Sequence, residues 1–214
     1  MSAVPNIALL SHIEDVHDRV RYYTRVALWL CGKALILYHQ QSISQQDSTH
    51  QQLTDNWLQA FEELDEWYRM RPQELQPIVE LHNSDPMLDS GSEFPLLLFS
   101  NAAGPFSNQI YHTAMLLLLQ CKPRTALINK PHSPALSPLW HAQRICGIAL
   151  NNDRRECWDP CLLASFLVAA RFMTHESQQN EIIQGFDKIR KLTGWDVGEY
   201  LSHVREDWSF LDGT

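Results

Sequence analysis

The residues of this chain that could do chemistry are its ten histidines and five cysteines. Metal binding needs such ligands on one face at a fixed spacing, and H-E-x-x-H is absent. His12 and His17 are five apart, which sets them about 140° apart around a helix. His175 and Glu176 are adjacent only in sequence. Cys157 and Cys161 flank Asp159-Pro160 at a spacing of four, without a second pair to complete a tetrahedral site. Nucleophilic catalysis fares no better. G-x-S-x-G is absent, and Cys146-Gly147 lies in an apolar helical setting with no positioned base. The glycines are isolated, so no phosphate-binding loop forms. The acids at 62–66 read as a solvated helix face. His112, beside Tyr111 on an apolar helix, reads as a hydrogen-bonded core residue rather than a ligand. No catalytic residue, cofactor-binding residue or metal ligand is expected. An enzyme with an unfamiliar site would be sought first at Tyr111, His112 and Cys146.

The elements that position these residues read as helices. Apolar residues recur at helical spacing, and alternating β-branched runs are missing. A first helix is expected from about His12 to Gln40, with Val16, Val20, Tyr23, Ala27, Leu30 and Leu37 on its apolar face. A Ser/Gln-rich loop, 40–52, follows. Thr54 or Asp55 can cap the second helix, whose stripe is Trp57, Phe61, Leu64 and Trp67/Tyr68. Arg71-Pro72 stops it. A short helix is expected in 73–82 and a polar loop at 83–91. The apolar run Phe94 to Phe99 is long enough for a strand, but Pro95 and its helical neighbours favour an extended connector or a short helix. A helix at about 107–120 leads into a loop with four prolines, 122–138, read as the most mobile segment. Helices at about 138–151, 160–175, 177–193 and 196–211 complete the chain. Pro160 suits a first turn and Gly194 a left-handed helix end.

The expected fold is therefore all-α, one irregular domain over 1–214 with seven or eight helices, which stacked helix pairs would satisfy. The proline-rich loop 122–138 is the place where it would subdivide. Seven tryptophans are spread over nearly all the helices. They anchor the core, or some of them line a pocket or partner groove.

Composition excludes several functions. The chain has 214 residues and a net charge of −8, and that acid excess falls within residues 1–107. Nucleic-acid-binding domains carry a basic footprint, so direct DNA contact is not expected. The longest stretch free of charged residues, Phe94 to Cys121, is broken by Pro95, Gly104 and Pro105, and no membrane span is expected. No secretory signal is read at the N-terminus. An odd number of cysteines without C-x-x-C spacing suits reduced, buried thiols inside a cell.

Four segments together resemble one family. The first is Trp57-x3-Phe61-x2-Leu64-x2-Trp67-x3-Arg71-Pro72. The second is Phe94-Pro95, followed by Tyr111-His112-x-Ala114-Met115-Leu116-Leu117-Leu118. The third is Ala142-x-x-Ile145-Cys146-Gly147-Ile148-Ala149 with Asn151-Asn152. The fourth is Leu192-Thr193-Gly194-Trp195, with Leu201 and Trp208 after it. Their order resembles the carboxy-terminal half of the fungal-specific regulatory domain of zinc binuclear cluster transcription factors, over about residues 16–210.

The resemblance implies transcription regulation in the nucleus, through co-regulators or a small-molecule inducer, and it allows a homodimer. Family members bind DNA through a separate six-cysteine, two-zinc domain followed by a basic linker and a coiled coil. This chain shows none of those parts, so zinc and DNA contact are expected only in an N-terminal region outside it. The chain is expected to be a fragment, or a form that lacks the DNA-binding part. The alternative is a stand-alone helical protein that binds a small apolar metabolite and has no transcriptional role.

Overall fold

A computed structural model describes residues 15–43, 50–81, 92–128, 133–151, 154–155 and 158–212. The described residues are built almost entirely from seven α-helices: α1 (Val16–Ile43), α2 (His50–Met70), α3 (Ala103–Gln120), α4 (Pro138–Asn151), α5 (Pro160–Ala170), α6 (Glu176–Thr193) and α7 (Gly198–Asp212). Helical periodicity thus decides the fold, and the chain is all-α as its sequence implies.

The ends follow local chemistry. Asp159 caps α5 by accepting from the Cys161 N–H at 2.7 Å, with Pro160 in the first helical position. Gly194 closes α6 in the left-handed region, at φ 77°, and its N–H reaches the Arg190 carbonyl. Other ends depart from expectation. The second helix starts at His50, ahead of the expected cap, because glutamines give it rungs of side-chain hydrogen bonds: Gln51 to Asp55, Gln52 to Asn56 and Gln59 to Glu63. Thr54 therefore lies inside α2, and its hydroxyl meets that of Thr125 at 2.8 Å. The first helix continues to Ile43, and Val16, assigned to its apolar face, is 43% exposed. It sits in the first turn, ahead of the packed stretch that begins near Tyr23. Helix α5 ends at Ala170 rather than 175, where the Phe172 and Met173 N–H groups fold back to Ala169 and Ala170.

The one departure in kind is a strand pair. Val79–Leu81 (β1) runs antiparallel to Leu96–Leu98 (β2), with Glu80 opposite Leu97. The expected helix over 73–82 shrinks to a single 3₁₀ turn, Gln73–Leu75, and Phe94 to Phe99 holds a strand. Three residues per strand are too few for alternation to register in a sequence. The polar loop at 83–91, His12 and Cys157 lie outside the described residues.

Two apolar clusters share helix α3. The first joins α1, α2 and one side of α3 around Leu30, Trp57, Leu64, Trp67 and Met115. The second joins α4 to α7 around Ile145, Phe166, Ile182, Phe186 and Trp208, with Leu116 of α3. Half-buried Trp158 packs against both. Helix α3 is buried almost all round. Its polar residues are accordingly bonded: Ser107 to Thr24 at 3.0 Å, Asn108 to the Leu75 carbonyl and Gln109 to the Leu162 carbonyl. Three indoles fasten helices to each other. Trp57 donates to the Leu118 carbonyl, Trp67 to Tyr23 and Trp208 to Ala170. Two of those carbonyls lie in the last turns of α3 and α5, where no intrahelical donor remains.

Gly147 of α4 is needed for close approach. A Cβ there would fall on the Pro95 carbonyl oxygen and crowd the Leu97 side chain, so glycine lets β2 lie against the helix. Gly32 of α1 is the converse, since a Cβ there meets nothing. Gly147→Ala is expected to cost about 2 kcal/mol or more through overpacking. Gly32→Ala should stabilise by roughly 0.5–1 kcal/mol through helix propensity. Urea unfolding of the two variants checks both signs.

Candidate functional site

Two of the histidines, His112 and His141, meet where α2, β1, α3 and α4 come together. Helix α4 contains one Lys, Arg, Asp or Glu, which is Arg144. Its surface is 2% exposed. A guanidinium taken out of water must be paired and hydrogen-bonded. Arg144 Nη1 donates to Glu80 Oε1 of β1 at 2.6 Å, and Nη2 reaches the Tyr68 hydroxyl at 3.4 Å. Its Nε donates to His112 Nε2 at 3.2 Å. The Arg144 guanidinium also lies 4.6 Å from the centre of the Trp140 ring.

These contacts fix the histidine tautomers. Arg144 Nε is always a donor, so His112 Nε2 must accept and His112 Nδ1 carries the hydrogen. That hydrogen is donated to His141 Nδ1 at 2.8 Å. His141 then carries its own hydrogen on Nε2 and gives it to the Ala135 carbonyl at 2.9 Å. One direction of donation, from Arg144 through both rings to Ala135, satisfies every member. Both imidazoles are neutral. Burial and the Arg144 charge push His112 well below the ordinary histidine range. Burial brings His141 down to about 4, against the helpful Ala135 bond.

Aromatic rings wall the array. Tyr111 stacks on Tyr68 at 4.6 Å and on Trp67 at 5.3 Å, and the Arg71 guanidinium lies 3.6 Å from the centre of the Tyr68 ring. Arg71 also donates to the Tyr68 carbonyl, and burial lowers its pKa. Burial raises the Tyr111 hydroxyl far above the ordinary tyrosine range. The array closes on a guanidinium at one end and a backbone carbonyl at the other. Neither releases a proton near neutral pH, so the geometry suits holding helices together rather than moving protons.

The residues singled out by sequence fall into three groups. Trp57, Phe61, Trp67, Arg71, Pro72, Tyr111 and His112 lie on or beside the first cluster and the network. Phe94, Pro95, Ile145, Cys146 and Gly147 form the contact between β2 and α4 and the adjoining second cluster. Gly194, Trp195 and Trp208 belong to the α6–α7 corner and are not near the network. Cys146 is fully buried and its thiol is pushed well above the ordinary range. The sequence reading missed Arg144, His141, Glu80 and Tyr68. A usable signal was present for two of them, because His141-x-x-Arg144 places two polar residues one turn apart in a helix whose other residues are mostly apolar.

A separate cleft of about 390 Å³ opens where the second half of α1, the first turns of α2 and the loop after α3 meet. Leu37, Trp57 and Cys121 form its floor, and Arg124 and Thr125 stand at its edge. Among the described residues, no group of three or more His, Cys, Asp or Glu side chains could hold a metal ion. No helix among them is long and apolar enough to cross a membrane. The chain matches no known family model, no curated protein and no solved structure.

Two outcomes are expected. In the unfolded chain His141 takes up a proton near pH 6.5, while in the folded chain it stays neutral until about pH 4. The unfolded state binds more protons across that window, so stability falls as pH drops from 6.5 to 4. The loss from this ring is on the order of 3 kcal/mol at 1.4 kcal/mol per pH unit. His141→Gln can still accept from His112 and donate to Ala135, and its unfolding free energy should be flatter over the same range. Arg144→Met leaves the buried His112 Nε2 without its donor and should cost about 1–3 kcal/mol at neutral pH. Denaturant melts at several pH values read both.

Proposed function

We propose that this chain is a regulatory domain of a fungal transcription factor, acting in the nucleus through co-regulators or a small-molecule inducer and without touching DNA itself. The observation that supports this best is what the resembling segments do in the fold. Their aromatic, small and buried polar residues are spent on joining helices: indoles on helix-end carbonyls, Gly147 under Pro95, Tyr111 and His112 in the network around Arg144. Such a domain works by changing how its helices meet. An acidic chain with its basic residues scattered fits contact with proteins better than contact with DNA.

A second reading, a stand-alone metabolite-binding protein, is favoured by one observation, the cleft over Trp57. Its volume falls in the range of small-molecule sites.

The test is a fusion of residues 1–214 to a heterologous DNA-binding domain in fungal cells carrying a matching reporter. The fusion is expected to raise or lower reporter output relative to the DNA-binding domain alone, and Arg144→Met should abolish the difference. A fluorescent fusion of the chain should concentrate in the nucleus, as a longer factor containing it would. Unchanged output with the folded protein present would overturn the transcriptional reading and leave the second one.

A further inference from the structure

The cleft between α1, α2 and the loop after α3 has a composition that selects a ligand class. Its floor is apolar and already desolvated: Leu37, Trp57 and Cys121 are all buried. Trp57 cannot offer its N–H, which is held by the Leu118 carbonyl at 2.7 Å. It therefore serves as apolar ring surface, stacked on Phe61 behind it. Cys121 offers no charge either, because burial pushes its thiol up to about 11 and its Sγ is turned to the Leu118 carbonyl.

The polar side of the cleft has one sign. Arg124 is the charged residue of the lining, and among the described residues no acid lines it. Among the described residues Arg124 has no carboxylate partner. The helix ends reinforce this. The cleft is bordered by the first turns of α2, the positive end of its dipole. The opposing C-terminal end of α3 is muted, since its Leu117 and Leu118 carbonyls are taken by the Cys121 N–H and by Trp57. Thr54 and Thr125 hydroxyls, bonded to each other at 2.8 Å, close the wall between the two.

We infer that this cleft binds a small molecule with an apolar body and one carboxylate, the body against Trp57 and Leu37 and the carboxylate paired with Arg124. A guanidinium with a free edge pairs well with a carboxylate, and the buried floor rewards an apolar tail. The inference rests on the ligand-responsive part of the proposed function. Direct binding tests it, so its failure is separate from any failure of the reporter assay.

The probes are octanoate and its uncharged counterpart octanol, titrated into the full chain by calorimetry at low ionic strength. Octanoate is expected to bind saturably in the submillimolar range, and octanol about tenfold more weakly. Arg124→Gln should weaken octanoate about tenfold while leaving octanol unchanged, and Arg124→Lys should recover most of the loss. Arg124 is exposed, so these variants should melt as the parent does. Leu53→Trp narrows the cleft from a half-buried position in α2 and should remove binding of both probes. Failure of octanoate to saturate by about 10 mM, a concentration worth under 3 kcal/mol of binding, overturns the assignment. So does equal binding of octanoate and octanol, or octanoate binding that ignores Arg124→Gln.

Discussion

The structure around the candidate site depends on one buried positive charge. Moving a guanidinium out of water costs several kcal/mol unless its donors find partners, and Arg144 faces inward from the middle of an apolar helix. Each element nearby answers one of its donors. Strand β1 brings Glu80, α2 brings Tyr68 and α3 brings His112. The two short strands make sense in this light. Three residues each would bury little area alone, but the pair holds a carboxylate against the helix that carries the charge. Gly147, one turn past Arg144, then has a second role. By admitting Pro95 and Leu97 it sets the distance between β2 and α4, and through the ladder it sets where Glu80 can stand.

A second constraint is the supply of donors for helix-end carbonyls. Helices buried at their C-termini carry acceptors that water cannot reach. Here the tryptophans meet that need at the ends of α3 and α5, each bringing a large apolar ring along with its single donor. Trp57, Trp67 and Trp208 each fasten a different pair of helices, and the two apolar clusters include all three.

What was legible in the sequence follows from scale. Helices of ten residues or more repeat their apolar pattern often enough to be read, so α4 is found with both ends correct and α6 to within a residue. Caps with their own chemistry, such as Asp159-Pro160 and Gly194, are local and therefore visible. The strand pair was not, because its three rungs join residues 15, 17 and 19 apart. The core around Tyr111 and His112 was half legible. A polar pair on an apolar helix announces buried hydrogen bonds, and His112 makes two of them. Arg144 carries a signal one turn from His141, but its carboxylate partner Glu80 does not, because it comes from a strand 64 residues away. The Thr54 cap failed because glutamine side-chain bonds lengthened α2 by a turn, a contribution that no apolar pattern records.

The tautomer chain also limits how such a domain can respond. A hydrogen-bond array can switch smoothly only if it can run in either direction. This one cannot, because Arg144 never accepts a hydrogen bond and the Ala135 carbonyl never donates one. The array has one satisfied arrangement, and any displacement of α3 from α4 leaves an unpaired guanidinium or an unpaired imidazole in a dry interior. Intermediate positions therefore cost more than either a closed contact or a fully opened, hydrated one. The cleft over Trp57 and the network around Arg144 share α2, with Trp57 and Tyr68 eleven residues and about 16 Å apart along it. Helix α2 joins the array through the Tyr68 hydroxyl, 3.4 Å from Arg144 Nη2, and through the stacking of Tyr68 on Tyr111. The resistance to small strain thus lies between α3 and α4, where the direction of three hydrogen bonds sets it.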